Sequence, residues 1–338
     1  MSEATAIKPI KKRRFRPILT LINIILITLF WIIVTLLGTI LLFLYGPSEY
    51  YRGLFVTTVM ETSAAKILAT GFLGEERVKE ILSQNTVIAF EETTNSELIE
   101  TPDETNTTEE ELSSIKIEDV SGGTYKGKMM IIRDPSRLYV GVTNQLGVKG
   151  ERTDKMVKRE GAIGGVNGGG FADVGGMGHG GDPLGIVIQN GKLISGGLDK
   201  KHEIIGFNKD NVLVLGTYTG QEALDIGIRD ALSFGPFYIV NGEAAPVVGT
   251  GGGLNPRTVI GQKKDGTVLL LVIDGRQSSS LGATYKDCLE VMLRYGAYNA
   301  ANLDGGTSSV MVYEDKIINS TFALYGARAV PTSFLIKR

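Results

Sequence analysis

The stretch VLLLVIDGR (268–276) decides the fold, together with NAANLDGG (299–306) further along the chain. Six consecutive apolar residues, VLLLVI, are typical of a strand that is buried on both faces. Between the two stretches lies a predicted helix, Tyr285 to Tyr295, which begins with a capping-box-like Thr284 and Asp287. Strand, helix and strand together predict a crossover unit.

The acidic residues that end these two strands are the first candidates for a functional site. If the strands are parallel, their carboxyl ends lie at the same edge of the sheet. Asp274, Arg276 and Asp304 should then lie together, where open sheets usually bind ligands. A single Asp-Gly pair is more often a turn, because aspartate tolerates turn geometry and hydrogen-bonds nearby amides. Two such pairs, each closing an apolar strand and joined by one helix, favour a functional interpretation.

Outside this unit the chain predicts mainly strands. Asn190-Gly191 and Asn241-Gly242 each separate two apolar runs, as type I′ hairpin turns do, and Asp265-Gly266 repeats the pattern before VLLLVI. The 44 glycines follow no repeat and indicate tight turns or close backbone contacts. We therefore predict an α+β fold, a strand-rich mixed sheet domain with few helices at 115–338, preceded by one transmembrane helix.

The N-terminal third predicts a membrane anchor and a connection. Residues 1–17 are basic and predicted to stay in the cytoplasm, and 18–45 are apolar over a length that can span a bilayer of roughly 30 Å. A cleaved signal peptide is the alternative, but its apolar region usually has about 7–15 residues. Residues 46–90 predict a helical stalk or spacer, and the Glu- and Thr-rich 91–114 a flexible acidic linker. We therefore expect a single-pass protein of the cell membrane with an extracellular C-terminal domain.

Two arginines indicate an anionic ligand. Arg257 and Arg276 lie in otherwise uncharged, Gly- and Ser-rich neighbourhoods, which are unusual for a merely solvated cation. A planar guanidinium beside backbone amides suits a phosphate or a carboxylate. The alternative, of equal weight for either arginine, is that it satisfies a buried carboxylate such as Asp274 or Asp304.

Several other chemistries are disfavoured. His179 and Asp182, in GMGHGGDP, are at most site-lining residues, because no second histidine or cysteine stands at zinc-ligand spacing. Cys288, the single cysteine, falls in the helical pattern and predicts a small buried hydrophobe. The chain has no G-x-S-x-G elbow, no phosphate-binding G-x-x-x-x-G-K-[ST] and no basic aromatic patch. We therefore expect no nucleic-acid partner.

Taken together, the motifs resemble the phosphodiester glycosidase family over residues 115–338. The motifs are VNGGGF (166–171), FGPFYIVNG (234–242), NPRTVIG (255–261), DGR (274–276), NLDGGTSSVMV (302–312) and ARAVPTSFLI (327–336). The resemblance implies hydrolysis of the bond between a sugar's anomeric carbon and a phosphodiester. By matching motif, the resemblance implies a site lined by Asn167, Arg257, Asp274, Arg276, Asp304, Gly305 and Arg328. We expect Asp304 and Asp274 to be the catalytic carboxylates, and the others, with Gly306 and Ser308, to bind substrate and phosphate. Phe171, His179 and Asp182 are further candidates for the lining, and the stretch with His179 and Asp182 departs from the family's motifs.

The expected chemistry needs a cationic clamp for the phosphate and a carboxylate for the oxocarbenium-like transition state. Asp304 and Asp274 are candidates for the carboxylate, without an assignment between them. The expected substrate is a sugar phosphate or glycan of the cell envelope or an exopolysaccharide. No cofactor is required, although a divalent cation such as calcium is compatible with the residues. Two alternatives stay open: a non-catalytic glycan-binding module, and a metal-dependent phosphodiesterase in which Asp274, Asp304 and Asp182 hold the cation.

Overall fold

A computed structural model describes residues 16–62, 65–102, 108–173, 178–321 and 327–338, so that most of the predicted basic segment lies outside the described residues. Contacts divide the chain into two compact units, Met1–Arg52 and Gly53–Arg338. The two units are considered separately below.

The first unit is dominated by one long helix, α1 (Arg16–Tyr45). Within the described residues, the part Pro17–Tyr45 is the one helix that is long and apolar enough to cross a membrane, with a mean hydropathy of 2.8. Its polar side chains are satisfied locally, since the hydroxyls of Thr28 and Thr39 donate to the carbonyls of Ile24 and Thr35 one turn back. Such internal pairing suits a helix in an apolar solvent.

The remaining described helices are α2 (Glu49–Met60), α3 (Ile67–Leu73), α4 (Glu75–Ser83), α5 (Glu109–Ser113), α6 (Thr153–Glu160), α7 (Gly220–Asp225) and α8 (Tyr285–Arg294). The prediction for α8 is confirmed, and Thr284 with Asp287 forms a complete capping box at its start. Cys288 is buried in this helix, as predicted.

Strands are the main regular structure of the second unit. They are β1 (Ile115–Ser121), β2 (Lys126–Ile132), β3 (Leu138–Val142), β4 (Glu151–Arg152), β5 (Gly164–Asn167), β6 (Val187–Gln189), β7 (Lys192–Ser195), β8 (Lys201–Asn208), β9 (Leu213–Thr219), β10 (Ile228–Leu232), β11 (Phe237–Val240), β12 (Glu243–Ala244), β13 (Arg257–Lys263), β14 (Val268–Ile273), β15 (Ala297–Leu303), β16 (Met311–Tyr313), β17 (Lys316–Ile317), β18 (Ala329–Val330) and β19 (Thr332–Ile336). The α+β, strand-rich fold class is confirmed.

The strands build three larger sheets and one small one. A seven-stranded sheet has the order β1-β2-β14-β13-β15-β11-β12, and two five-stranded sheets have the orders β7-β6-β10-β8-β9 and β17-β16-β5-β19-β3. A two-stranded sheet pairs β18 with β4.

The sequence of β14 is continuously apolar because both faces of this strand are buried. Leu270 and Val272 face a core shared with the two five-stranded sheets, whereas Leu271 and Ile273 face a second core under α8. All six residues of β14 are buried. Because side chains alternate between the faces of a strand, a sheet covered on both sides needs an apolar residue at every position.

The strands on either side of α8 meet the condition that the sequence analysis set, because they run parallel. Strand β13 lies between β14 and β15 and pairs antiparallel with both, so β14 and β15 run parallel. Arg257 is opposite Ile273 and Thr258 is opposite Leu303. The end of β14, the start of β13 and the end of β15 therefore lie side by side at one edge.

Two of the predicted hairpin turns adopt the left-handed backbone that a type I′ turn requires. Asn190 and Gly191 have φ of 50° and 70°, and Asn241 and Gly242 have φ of 54° and 83°. They join β6 to β7 and β11 to β12. At the third predicted turn, which joins β13 to β14, Gly266 has a φ of 80°.

The segment predicted as stalk and linker packs on the sheet domain. Val56, Val78 and Val87 are buried, and all belong to the unit that begins at Gly53. In the predicted acidic linker, the Thr94 N–H donates to the Leu215 carbonyl and Thr94 is 8% exposed. A few apolar and hydroxyl side chains within this polar segment bind it to the domain. The overall composition of the segment did not indicate these contacts.

Candidate active site

One cavity lies at the edge where β13, β14 and β15 meet. It has a volume of about 310 Å³, and both polar and apolar side chains line it. The side chains and backbone that line it are Glu61, Gly170, Phe171, Asp173, Leu184, Phe234, Asn255, Arg257, Arg276, Tyr285, Asn302, Asp304, Gly305, Gly306, Thr307, Ser308 and Arg328. The set contains three carboxylates and three guanidinium groups.

Asp304 follows the last residue of β15 and lines the cavity. Burial raises the pKa of this carboxyl to about 6, while the Ser308 hydroxyl and the Gly305 N–H, which donates at 3.0 Å, favour the ionised form. Its backbone is fixed from the neighbouring sheet, because Asn167 Nδ2 donates to the Asp304 carbonyl at 2.6 Å. The Asp304 N–H also donates to the Gly168 carbonyl. The carboxyl group thus stands on a rigid support.

Asn167 acts as a support for this loop and does not line the cavity itself. The side chain is fully buried, and its Oδ1 accepts from the Thr258 hydroxyl at 2.8 Å and from the Val310 N–H at 3.1 Å. The amide therefore joins the start of β13, the loop after β15 and the end of β5.

The two glycines after Asp304 allow the loop to pass close to β13. A side chain at Gly305 would come within 2.8 Å of the Pro256 carbonyl, and the Gly306 N–H donates to that same carbonyl. Gly306 has a φ of 63°, which glycine adopts most readily. Its position lies next to the Arg276 guanidinium, since a Cβ there would be 3.4 Å from Nη2.

Arg257 is buried in the floor of the cavity. It is 3% exposed, its Nε and Nη2 donate to the carbonyls of Ala283 and Gly253, and its guanidinium stacks 3.9 Å from the Tyr285 ring. Burial works against its charge, but Glu61, whose Oε2 lies 2.6 Å from Nη2, helps to hold the pKa of Arg257 above its usual range. The orientation of the guanidinium is therefore set by protein groups.

Arg276 extends into the same end of the cavity from the loop after β14. Its Nη2 donates to Asn255 Oδ1 at 2.9 Å and to the Thr62 hydroxyl at 3.2 Å. Burial and the neighbouring Arg257 lower the pKa of Arg276, and Glu61 opposes this. The residue has a φ of 58°, an uncommon conformation for a residue other than glycine and one often found at functional sites.

The lining of the cavity contains a second ion pair. Arg328 donates from Nη1 and Nη2 to the two oxygens of Asp173, at 2.7 and 2.5 Å. This pairing, together with the Gly178 N–H, holds the pKa of Asp173 below its usual range. The guanidinium also lies 4.8 Å from the centre of the Phe171 ring. Leu184 and Phe234 complete an apolar wall here.

Asp274, the other candidate carboxylate, has different surroundings from Asp304. It does not line the cavity; its Oδ1 accepts from Asn319 Nδ2 at 3.1 Å and from the Ser320 N–H at 2.9 Å. Burial raises the pKa of Asp274, and these two hydrogen bonds oppose the increase. The carboxylate thus binds the chain segment at 319–320, and the structure does not bring it together with Asp304.

His179 and Asp182 also lie outside the set of residues that line the cavity. His179 Nε2 is 3.3 Å from Asp182 Oδ2, and both side chains are about half exposed. Among the described residues no group of three or more His, Cys, Asp or Glu side chains could hold a metal ion.

Three cavity residues that the sequence did not single out are Glu61, Asp173 and Asn255. Asp173 lies two residues after the motif VNGGGF (166–171), so its position beside the glycines was an available signal. Asn255 immediately precedes Pro256 and Arg257 in the motif NPRTVIG. Glu61 lies outside the motifs, in a segment predicted to be a spacer, and its place in the cavity depends on tertiary contacts.

Comparison with known proteins identifies the family of the domain. The model of the phosphodiester glycosidase family matches residues 160–337, more than half of the chain. The chain therefore belongs to the phosphodiester glycosidase family.

Two relatives illustrate the range of the similarity. The N-acetylglucosamine-1-phosphodiester alpha-N-acetylglucosaminidase of Bos taurus is 29% identical over 163 residues, which are 43% of this chain and 30% of that protein. The SPbeta prophage-derived protein YomE of Bacillus subtilis is 29% identical over 197 residues, 55% of this chain and 29% of that protein. The chain thus spans under a third of the length of these relatives.

A solved structure shares the fold. It is the catalytic domain of the zebrafish N-acetylglucosamine-1-phosphodiester alpha-N-acetylglucosaminidase, auto-inhibited by its pro-peptide. The TM-score is 0.58 at 21% identity, over 73% of this chain and 88% of that one. At this level of identity the similarity describes the architecture alone.

Proposed function

We propose that this protein hydrolyses the glycosidic bond of a sugar-1-phosphodiester, with Asp304 as the catalytic carboxylate. The observation that carries the proposal is the position of Asp304, in one cavity with the arginines Arg257 and Arg276 and with the aromatic residue Phe171. A carboxylate, a cationic clamp and an apolar surface are the three parts that this reaction needs.

The phosphate is expected at the end of the cavity that contains Arg257 and Arg276. Guanidinium groups bind phosphate oxygens through directed, charge-assisted hydrogen bonds. Arg257 is held by the carbonyls of Ala283 and Gly253 and by the Tyr285 ring, so little of its freedom remains to be lost when substrate binds.

The sugar is expected at the end that contains Phe171, Phe234 and Leu184. An apolar surface with a few fixed polar groups is typical of a site for a small organic ligand. The polar groups here are Asp173 and Arg328, whose mutual ion pair fixes both side chains. Carboxylate oxygens accept from sugar hydroxyls and guanidinium N–H groups donate to them.

The proposed reaction breaks the bond between the anomeric carbon and the phosphate oxygen. The bonding electrons stay on that oxygen, which leaves as a phosphomonoester, and water adds to the anomeric carbon to give the free sugar. Phosphate is a fair leaving group and needs no strong acid. Asp304, ionised above a pKa of about 6, then stabilises the oxocarbenium-like state and accepts the proton of the attacking water.

The location that we propose follows from the N-terminal segments. Residues 18–45 would span the cell membrane as an uncleaved signal anchor, and the basic residues 1–17 would stay in the cytoplasm. The sheet domain would then face the outside, with a cell-envelope or exopolysaccharide glycan as substrate. The mammalian relatives' names give N-acetylglucosamine as the sugar of their substrate, which makes it the first sugar to test.

A metal-dependent phosphodiesterase centred on Asp274, Asp304 and Asp182 has no support from the geometry. Asp304 lines the cavity, whereas Asp274 is bound to Asn319 and Ser320. The Asp182 carboxylate contacts His179 instead.

The test is a screen of the full-length protein in a mild detergent against sugar-1-phosphodiesters, beginning with alpha-N-acetylglucosamine linked through phosphate to a small alcohol. Mass spectrometry should detect free sugar and the phosphomonoester of the alcohol. Sugar phosphate and free alcohol would instead indicate cleavage on the other side of phosphorus. Saturable binding of every panel member without turnover would indicate a glycan-binding module instead of a hydrolase.

A further inference from the structure

A second cavity lies at the other end of the five-stranded sheets from the candidate active site. It has a volume of about 500 Å³, and the two cavities share none of their described lining residues. Arg229 and Asp230, near the start of β10, line the second cavity, whereas Phe234, just after the end of β10, lines the first. At β6 the last residue, Gln189, lines the second cavity, and Leu184, ahead of the strand, lines the first. The second cavity is called the distal cavity below.

The guanidinium of Arg229 is the buried cation of the distal cavity, and protein oxygens already occupy it. Its Nε and Nη2 donate to Asn211 Oδ1 at 3.2 and 3.0 Å, and its Nη1 donates to Asp230 Oδ2 at 2.6 Å. Nη1 and Nη2 also donate to the carbonyls of Leu138 and Pro135, at 2.7 and 3.3 Å. A guanidinium has five N–H groups, and these are five hydrogen bonds. A phosphate or carboxylate ligand would therefore find no free donor on Arg229.

The acidic side chains of the distal cavity are paired as well. In addition to the ion pair at Oδ2, Asp230 accepts through Oδ1 from the N–H groups of Val140 and Asn190, at 3.2 and 3.4 Å. Glu160 forms an ion pair with Arg159. Neither carboxylate is left as an unpaired partner for a cationic ligand.

Lys337 is the other charged residue of the described lining. Its side chain is exposed, and its Nζ donates to the Ser136 carbonyl at 3.3 Å. Arg229 and Lys337 balance Asp230 and Glu160, so the lining carries no formal net charge. This balance favours an uncharged ligand.

Uncharged polar groups supply the free hydrogen-bonding capacity of the distal cavity. Four of them have no hydrogen-bond partner among the described residues: the Tyr139 hydroxyl, the Asn190 side-chain amide, Gln189 Oε1 and Asn211 Nδ2. The Gln189 side chain is held in place, because its Nε2 donates to the Val140 carbonyl at 2.8 Å. The side chain of Asn211 is held by its two bonds from the guanidinium. Burial raises the pKa of Tyr139 to about 12, so its hydroxyl stays protonated and both donates and accepts.

We propose that the distal cavity binds an uncharged sugar residue of a glycan. Each sugar hydroxyl is both a donor and an acceptor, and side-chain amides and a tyrosine hydroxyl offer the same two functions. The Tyr139 ring adds an apolar surface against which the C–H groups of a sugar pack. The fixed amide groups lose little freedom when such a ligand binds.

This inference goes beyond the proposed function, because binding in the distal cavity needs no hydrolysis. A glycan that holds one of its sugar residues there has a raised effective concentration at the candidate active site. The distal cavity therefore keeps a polymeric substrate on the protein between cleavage events.

The test is titration of the full-length protein, in a mild detergent, with the methyl glycosides of N-acetylglucosamine, glucose, galactose and mannose. Ligand-observed nuclear magnetic resonance measures the affinity, and at least one glycoside should bind. Tyr139→Phe removes the hydroxyl and keeps the ring. Asn190→Gly removes the amide and suits the left-handed backbone of the turn, where φ is 50°. Each variant should bind the glycoside about 3–10-fold more weakly, the effect of one hydrogen bond between uncharged groups.

Two control variants separate the distal cavity from the rest of the protein. Tyr218→Phe, in β9, loses a tyrosine hydroxyl outside both cavities and should bind as wild type does. Phe171→Ala changes the candidate active site and should leave binding in the distal cavity unchanged. Melting curves show whether each variant is folded, and either of Tyr139→Phe and Asn190→Gly carries the test if the other is not.

The absence of binding of all four glycosides would overturn the proposal. Equal affinity in wild type, Tyr139→Phe and Asn190→Gly would overturn it as well. Weaker binding in Phe171→Ala alone would place the sugar in the candidate active site and not in the distal cavity.

Kinetics on a small sugar-1-phosphodiester separate this inference from the proposed function. Asn190→Gly should leave kcat/KM within a few-fold of wild type, because a small substrate does not reach the distal cavity. Glycoside binding with the expected variant pattern and no turnover would leave the distal site standing and reject the hydrolase. Turnover without any glycoside binding would keep the hydrolase and overturn the distal site.

Discussion

The ends of β14 and β15 share an Asp-Gly pair and have different surroundings. Both strands are buried, and burial raises the pKa of both Asp274 and Asp304. Asp304 faces the cavity, whereas Asp274 accepts two hydrogen bonds from residues 319 and 320. The segment that passes over each strand end, and not the motif itself, decides which carboxylate is available for chemistry.

The residues of the DGR motif also differ from one another in their surroundings. Asp274 binds a neighbouring segment, but Arg276, two residues later, lines the cavity. Its left-handed backbone conformation turns the chain so that the aspartate and the arginine serve different purposes. A motif can therefore contribute to a site through one of its residues and to stability through another.

The largest expected effect is on catalysis by the two aspartates. Asp304→Asn should lower kcat/KM for a sugar-1-phosphodiester by about 10²–10⁴-fold, the usual contribution of a positioned acid or base. Asp274→Asn keeps an acceptor oxygen for Asn319 and Ser320 and should stay within a few-fold of wild type. Steady-state kinetics on both proteins check this, and equal losses in the two variants would end the distinction between the strand ends.

The next effect concerns Arg276. Arg276→Gln should raise KM by roughly 10–100-fold with little change in kcat, since a hydrogen bond to a charged group contributes about 1.5–3 kcal/mol. Arg294→Gln, at the exposed end of α8, serves as the control for loss of positive charge. A fall in kcat with an unchanged KM would move Arg276 from phosphate binding to the chemical step.

The third effect is on the pH dependence of activity. Because Asp304 is proposed to act ionised with a pKa of about 6, kcat/KM should fall about tenfold per pH unit below pH 6. A phosphodiester stays ionised over this range, so the substrate does not supply the change. Asp274→Asn should keep the same profile. A rate that falls above pH 6 instead would assign the protonated carboxyl to catalysis.

The smallest expected effect is on stability. Here the substitution at Asp274 should have the larger effect and the substitution at Asp304 the smaller one, the reverse of their effects on catalysis. Asp274→Ala removes the acceptor for Asn319 and Ser320 and should cost about 1–3 kcal/mol of unfolding free energy. Asp304→Asn should cost nothing at pH 7. An aspartate whose pKa is raised in the folded state lowers stability as pH rises from about 3.9 through about 6, and the amide removes that loss.

Urea denaturation at pH 5 and pH 7 measures both changes. A midpoint for Asp304→Asn far below wild type at pH 7 would show that its carboxylate is structural.

The sequence was sufficient for the features that depend on local or periodic patterns. The Asn-Gly hairpins, the capped helix α8 and the strand β14 all follow from backbone preferences and alternation. The crossover unit was predicted, but the parallel direction of β14 and β15 was only assumed from it and became known from the pairing of both strands with β13.

Sequence patterns could not predict contacts between side chains that are distant in sequence. Glu61 reaches Arg257 across almost two hundred residues, and Asp173 pairs with Arg328 at a similar separation. The role of Asp274 depends on Asn319, which no motif links to it. Such contacts depend on how loops lie against one another, and glycine-rich loops carry little periodic signal.

Hydrolysis in water enriched in oxygen-18 shows directly whether the bond at the anomeric carbon breaks. The full-length protein is incubated with an alpha-N-acetylglucosamine 1-phosphodiester, or with whichever panel member it turns over, and both products are weighed by mass spectrometry. The heavy oxygen should appear in the released sugar, and Asp304→Asn should be inactive in the same assay. Heavy oxygen in the phosphomonoester would instead show cleavage at phosphorus and rule out cleavage at the anomeric carbon.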